Sequence, residues 1–234
     1  MDANIAVPAA LIGDPARAAM LQALFDGRAL PATSLAWAAG VSAQSASNHL
    51  AKLVAGDLVK VAAQGRHRYY RLAGPQVAQV LEALAVLGPA PRALLRPLDA
   101  KARGLREARS CYDHLAGRLG VALADAMEQG GLIEADGPDR YRLTEAGRER
   151  MGALGVDLSP RRSARRGQMR PCLDWTERRR HLAGPLAARL MTRLMALGWL
   201  RRTGPTRALL LTPAGRRGLT DALGLDLAET SAAA

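Results

Sequence analysis

The sequence predicts a mainly α-helical chain with short β-hairpins, arranged as two domains. Three observations predict it. Apolar residues make up 49% of the 234, yet aromatics are only 3% and there is a single Phe. The core must then be built from Ala, Leu, Val and Met, which suit helices better than packed sheets. Apolar positions recur at helical spacing behind capping residues and in front of Gly. Finally, several short motifs in the second half of the chain occur twice.

The charge balance narrows the function classes. Thirty-three Lys and Arg face twenty-one Asp and Glu, a formal +12, which favours a polyanionic partner, either nucleic acid or an anionic membrane. No apolar run approaches a membrane span. The start, "MDANIAVPAALIGDPARAAM", has no basic lead and carries Asp2 and Asp14, a poor secretion signal. Two cysteines, Cys111 and Cys172, are too few for a disulfide scaffold. The expectation is a cytoplasmic protein with no membrane partner. A phosphate-binding glycine loop and a nucleophile elbow are both missing from the sequence, so it is not expected to be an enzyme, and it names no cofactor.

Taken in order, Asp14-Pro15 opens a helix, with Asp as cap and Pro in the first turn. Met20, Leu21 and Leu24 share one face of it and Gly27 stops it. "LPATSLAWAAG" is a second short helix, with Thr33 or Ser34 placed to cap it. Gly40-Val41-Ser42 turns the chain, and Ser42 caps a third helix. Helix, Gly-containing turn, helix is the helix-turn-helix pattern. In the last helix Ala46, Leu50, Leu53 and Val54 fall on one side at 100° per residue. Gln44, Ser45, Asn48, Ala51 and Lys52 fall on the other, with Ser47 and His49 at the margins. That face is short, polar and free of acid, so a duplex can approach it closely. Gln and Asn suit adenine edges, and Ser and Lys suit phosphates or base edges. His49 either touches a phosphate or closes the seam to the preceding helices.

"DLVKVAAQGRHRYYRL" then reads as a hairpin in which Val59 and Val61 alternate with polar residues, Tyr70 and Leu72 continue the return strand, and Gly65 makes the turn. Its tip offers Arg66, His67 and Arg68 to phosphate or the minor groove, as a wing. "GPQVAQVLEALAVLG" is an apolar helix whose only charge is Glu82, and a helix this apolar needs a partner; a second subunit is expected there.

"GDPARAAMLQAL", "LAWAAGVSAQSASNHLAKLVAGDLV" and "GRHRYYRL" together resemble the arsenical-repressor (ArsR/SmtB) family of dimeric winged-helix repressors. The resemblance covers about 40% of the chain and implies a repressor released from DNA by an effector. Metal-sensing members often carry a Cys pair in the helix before the recognition helix, or Asp, His and Glu on the final dimer helix. "SLAWAAG" has no cysteine and "VAQVLEALAVL" has no His or Asp, so neither metal site carries over.

The second half repeats itself. "RSCYDHLAGRLG" returns as "RPCLDWTERRRHLAGPLA", "GLIE" as "GWLR", "LTEAGR" as "LTPAGR" and "LGVDL" as "LGLDL". Each copy is expected to be helix, hairpin, helix, giving residues 1–88 as a winged helix-turn-helix domain for DNA binding and dimerisation. Residues 105–234 form a tandem-repeat, winged-helix-like sensor domain. "GPAPRALLRPLDAKARG" (88–104) reads as the boundary and "SPRRSARRGQM" as a basic linker between copies.

Candidate effector residues lie in this half. Cys111, Asp113 and His114 form Cys-x-Asp-His, with Cys and His at i and i+3 on a helix face. Cys172 and His181 come from the other copy. The four are candidate ligands for zinc, copper or arsenite, or sensor thiols, against a blander reading as buried cysteines and backbone-bonded histidines. The inserted "WTERRR", at about 1.7 helical turns, is expected to rotate Cys172 relative to His181 and make the two copies chemically unequal. Trp175 with Arg179 and its neighbouring arginines is a second constellation, suited to an anionic or aromatic small molecule. Trp37 and Trp199 are expected in the core. The expected function is a DNA-binding transcriptional regulator, a repressor controlled by a small-molecule or metal effector. The alternatives are a thiol- or metal-responsive repressor using the two cysteines, and an architectural double-stranded DNA-binding protein with no effector.

Overall fold

A computed structural model of the chain describes residues 4–64, 67–88, 100–159 and 168–226. The chain divides into two compact units, Met1–Glu82 and Ala83–Ala234. Among the described residues no helix is long and apolar enough to cross a membrane.

The first unit runs α1 (Ala6–Ile12), α2 (Pro15–Ala23), β1 (Leu30–Pro31), α3 (Ala32–Ala39), α4 (Ala43–Ala55), β2 (Val59–Gln64), β3 (His67–Leu72) and the start of α5 (Pro75–Leu87). Met20, Leu21, Leu24, Leu35, Leu50 and Leu53 are completely buried and knit α2, α3 and α4 together. Each side chain removed from water in this way contributes about 1.5–3 kcal/mol. Asp14 caps α2 by accepting from Arg17 N at 2.9 Å. That bond, with the Arg17 and His49 charges beside it, holds the Asp14 carboxyl below its usual range. α1 was not legible in the sequence. It lacks a side-chain cap and has Pro8 inside it; Arg17 closes its C-terminal end by donating from Nε to Leu11 O (2.6 Å) and from Nη2 to Ala10 O (2.8 Å).

The structure corrects two local expectations. α3 begins at Ala32, directly after β1, with no side-chain cap, so Thr33 and Ser34 are helix-interior residues. Trp37 is 87% exposed rather than in the core, because α3 buries Leu35 and Ala36 instead. β3 is the central strand of a three-stranded sheet, pairing with β1 at Leu30–Tyr70 and with β2 from Val59–Leu72 to Gln64–His67. Val59 is buried, but every residue of β2 after it is exposed, so the hairpin leaves the core and its alternation loses its buried face.

The second unit contains α6 (Ala100–Glu107), β4 (Arg109–Cys111), β5 (His114–Ala116), α7 (Arg118–Gln129), β6 (Ile133–Ala135), β7 (Tyr141–Leu143) and α8 (Glu145–Ala153). It continues with β8 (Arg170–Leu173), β9 (Arg180–Ala183), α9 (Pro185–Ala196), β10 (Leu200–Arg202), β11 (Leu209–Leu211) and α10 (Pro213–Leu223). Residues 100–104, expected as part of a boundary segment, are thus helical; residues 89–99 and 160–167 of the two expected linkers lie outside the described residues. Helix, hairpin, helix occurs at α7–β6–β7–α8 and at α9–β10–β11–α10, each preceded by a further hairpin.

The local chemistry of the recurring motifs is the same in both places. Thr144 and Thr212 each cap a helix by accepting from the backbone N–H of Gly147 and Gly215. A Cβ at Gly147 would sit 1.9 Å from Leu132 O, and one at Gly215 2.2 Å from Trp199 O, so each glycine lets its helix press on a hairpin carbonyl. Antiparallel bridges cross between the hairpins, Arg109 with Ala208 and Tyr141 with Met169. The apolar faces of α7 and α9, with Leu119, Leu123, Met127, Leu186, Leu190 and Leu194, fill one core, and Trp199 packs half-buried against its edge.

Candidate functional site

In the first unit the candidate site is the outer face of α4. Ser42 accepts from Ser45 N at 3.2 Å and fixes the start of the helix. Ala46, Leu50 and Leu53 are buried, which turns Gln44, Ser47, Asn48, Ala51 and Lys52 outward to exposure, while Ser45 is half-buried. Ser47 returns its hydroxyl to Ala43 O at 3.0 Å, so it is partly engaged by its own helix. His49 takes the seam position: its Nδ1 lies 3.6 Å from Asp14 Oδ1, an ion pair when the ring is protonated rather than a hydrogen bond. On the hairpin that follows this helix, Arg68 is exposed on β3. Arg66 and the side chain of His67 lie outside the described residues.

In the second unit the structure gathers Cys111, His114, Cys172 and His181, whose ligand atoms all lie within 4.8 Å of one another. The expected helical placement is overturned. Cys111 faces His114 across the hairpin β4–β5, and Cys172 faces His181 across β8–β9. Both Cys–His pairs are therefore cross-strand neighbours, where side chains on one face meet directly. The inserted residues fall between Asp174 and His181, with Trp175 to Arg179 in the loop and Arg180 as the first residue of β9, and they do not rotate Cys172 away from His181. The two copies are still chemically unequal, because Asp113 bonds His114 whereas Asp174 is held by buried Arg109. A hairpin absorbs extra residues in its loop without changing the register below it.

Three of the four side chains are buried, with Cys111 6%, His114 3% and His181 1% exposed, and Cys172 is half-buried. Neither cysteine is in a disulfide. The imidazoles stack, with centroids 5.1 Å apart and planes at 27°, and their Nε2 atoms are 3.2 Å apart. His114 Nδ1 lies 2.9 Å from Asp113 Oδ1. Burial alone would lower the pKa of His114, but the Asp113 carboxylate and the neighbouring Cys111 raise it to about 9. The same bond lowers the Asp113 carboxyl. His181 Nδ1 has no hydrogen-bond partner among the described residues and stands 3.7 Å from Asp174 Oδ2.

Asp174 and Arg109 were not picked out as site residues from the sequence, although both are completely buried beneath the cluster. Arg109 Nη2 donates to both carboxylate oxygens of Asp174 at 2.9 Å. Asp174 also accepts from Gly117 N (2.7 Å) and Thr176 Oγ1 (2.7 Å). Burial opposes ionisation of Asp174, but Arg109, Thr176 and Gly117 outweigh it and hold the carboxyl well below the usual range. Gly117 has φ 80°, and a Cβ there would lie 2.7 Å from Arg106 O, so glycine is required where its N–H meets Asp174. The available signal was Cys-x-Asp occurring twice, at Cys111–Asp113 and Cys172–Asp174.

The other candidate effector residues go elsewhere. The Arg109 guanidinium lies 4.9 Å from the Trp175 ring centroid, a cation–π stack within the same buried network. Arg179 Nη2 donates to Asp125 on α7 at 2.8 Å. Trp175 and Arg179 therefore do not converge on a shared pocket with the four ligand-type side chains. Arg178 Nη2 donates to Ala85 O (3.3 Å) and Gly88 O (2.6 Å), at the C-terminal end of α5, where a cation is favoured by the helix dipole.

Comparison with known proteins gives three kinds of likeness. The helix-turn-helix domain family HTH_20 matches residues 12–62. An uncharacterised HTH-type transcriptional regulator of Bacillus subtilis (strain 168), YdfF, is 40% identical over 217 residues, covering 92% of this chain and 95% of the relative. Among solved structures, the homodimeric winged helix-turn-helix DNA-binding domain Mb0332 from Mycobacterium bovis is 28% identical, at a TM-score of 0.33, over 36% of this chain and 76% of that one. The cadmium metal-sensor CMTR from Mycobacterium tuberculosis is 30% identical, at a TM-score of 0.31, over 41% of this chain and 99% of that one.

Proposed function

This chain belongs to the HTH-type transcriptional regulators, and on that premise we propose that two copies lay their α4 helices in successive major grooves of a pseudo-palindromic operator. The observation that carries the reading is the outer face of α4: Gln44, Asn48 and Lys52 stand exposed, with no acidic residue in the helix. An amide such as Asn48 reads a base edge, while Lys52 and Arg68 neutralise phosphate. The wing, from Arg66 to Arg68, grips the backbone beside it, and Ser45, Ser47 and His49 set the margins of the contact.

α5 supports the dimer. Val80, Leu84 and Leu87 are 52%, 43% and 83% exposed, and only Leu81 and Glu82 of this helix are buried. Ile5 and Val7 at the N-terminus are also exposed. Apolar side chains at this density call for a partner surface. Residues 1–88 then serve as the DNA-binding and dimerisation domain, and 105–234 as a sensor domain built of two copies of one hairpin-containing module. The regulator acts in the cytoplasm as a repressor, and an effector in the second unit alters its hold on DNA.

Fluorescence-anisotropy titrations of operator and random duplex across a salt series test the DNA reading. Sequence-specific recognition gives an operator preference that Asn48→Ala reduces. Equal affinity for both duplexes identifies an architectural protein and rules out operator-directed regulation.

A further inference from the structure

We propose that Cys111, His114, Cys172 and His181 bind one Zn2+ ion in a closed tetrahedral site that ties hairpin β4–β5 to hairpin β8–β9. The inference concerns the second unit alone and stands whether or not α4 binds DNA.

Composition makes the convergence informative. The chain has two cysteines and four histidines in all; both cysteines and two of the histidines meet at one point, although His114 and His181 are 67 residues apart. The spacing of the donors fits the ion. Zinc holds imidazole nitrogen at about 2.0–2.1 Å, so two such ligands of a tetrahedron lie about 3.3–3.4 Å apart. The two Nε2 atoms are 3.2 Å apart. Thiolates at about 2.3 Å from zinc place the remaining ligand–ligand edges at about 3.5–3.8 Å, inside the 4.8 Å that encloses all four atoms.

The surroundings orient the rings for this role. Asp113 accepts from Nδ1 of His114, which directs the Nε2 lone pair at the centre of the cluster. Asp174, locked by Arg109 and Gly117, stands beside Nδ1 of His181 in the corresponding place. A carboxylate behind each imidazole is the usual outer shell of a zinc-bound histidine. Each Cys-x-Asp thus supplies one thiolate and one such carboxylate.

The donor set also selects among soft ions. Two thiolates and two neutral imidazoles cancel the double charge of a divalent ion, leaving a buried site without net charge, which a burial this deep requires. A monovalent copper ion would leave an uncompensated negative charge. Arsenite, which binds through thiolates alone, finds only two in this cluster. Four protein ligands fill the coordination sphere, so the site is built to hold its ion rather than to activate water. Cys172, the half-buried member, gives the ion its way in.

The test uses the full chain, purified under reducing conditions and stripped of metal. Titrated with Co2+, it should develop a thiolate-to-metal charge-transfer band and intense tetrahedral d–d bands that saturate at one ion per chain. Zn2+ should bleach them and raise the melting temperature. Cys172→Ser, at a half-buried position that tolerates a hydroxyl, should weaken cobalt uptake and lower the charge-transfer intensity per bound ion, because one thiolate fewer reaches the metal. Asp113→Asn, at a half-exposed carboxylate that leaves the packing untouched, should keep the fold by circular dichroism and weaken zinc binding about 10–100-fold. A folded, reduced chain that takes up no Co2+ or Zn2+ overturns the proposal, as does a Cys172→Ser protein whose cobalt spectrum matches the wild type. Spontaneous closure of a Cys111–Cys172 disulfide, with no metal uptake after its reduction, overturns it in favour of a thiol switch.

Discussion

α4 and the paired hairpins β4–β5 and β8–β9 use polar side chains in opposite ways. α4 hides three apolar residues and leaves Gln44, Asn48 and Lys52 in water. The hairpins bury Arg109, His114, Asp174 and His181 almost completely and satisfy most of their polar atoms internally. The first arrangement costs little to keep and is available to a long, charged, external surface such as a duplex. The second is costly unless every charge is matched, and it is accessible only to something small. The contrast teaches that one chain presents two polar surfaces of opposite character, and that mutation should separate them: changes in the hairpins register first in stability, and changes on the outer face of α4 register in binding alone.

The sharpest way to break this contrast is Asp174→Ala. It strands the Arg109 guanidinium at 0% exposure, so the second unit should lose about 3–5 kcal/mol, measured by urea denaturation. A loss below about 1 kcal/mol would mean the pair is not the anchor of the hairpins. Next in size, Asn48→Ala should cost about 1–3 kcal/mol of operator affinity while leaving the denaturation midpoint where it was. A shift in stability of the same size would place Asn48 among structural residues and erase the distinction. Ser42→Ala removes the cap that holds the start of α4 and should destabilise by about 1 kcal/mol, seen as increased amide exchange over the first turn of that helix. Smallest of all, Lys52→Ala should weaken operator and random DNA alike and reduce the slope of log affinity against log salt by about 1. A change confined to the operator would move Lys52 from phosphate to base contact.

The two regions also differ in how far they are legible in the sequence. Along α4 a single periodicity separates the buried residues from the outward ones, with Ser45 and Val54 half-buried between them, since a 13-residue helix passes its face through more than three turns. Ser42 is the cap, Gly40 the turn, and Ala46, Leu50 and Leu53 the inner face, all as the periodicity predicts. The four ligand-type residues are visible in the sequence, but their local geometry is not. β4 and β5 have three residues each, too few for a period of two to show against helical spacing. Cys and His three apart fit a helical turn as well as a tight hairpin, and only the cross-strand register decides. The helical reading also carries with it the mistaken rotation of Cys172 by the inserted loop. Trp37 fails for a different reason: an apolar neighbourhood in sequence says nothing of which side of α3 the core occupies.

By itself, the sequence determined the features set by local periodicity and chemistry: a capped, acid-free helix after a glycine turn, a basic chain, and a second half with recurring motifs. Those depend on contacts a few residues apart, which the order of residues states directly. Tertiary structure alone decided that two thiols and two imidazoles meet, that Asp113 and Asp174 stand behind the rings, and that Arg109 lies beneath them. These groups are brought together by strand register and by the packing of α7 and α9 around a shared core, and long-range pairing of that kind leaves no periodic trace in the chain.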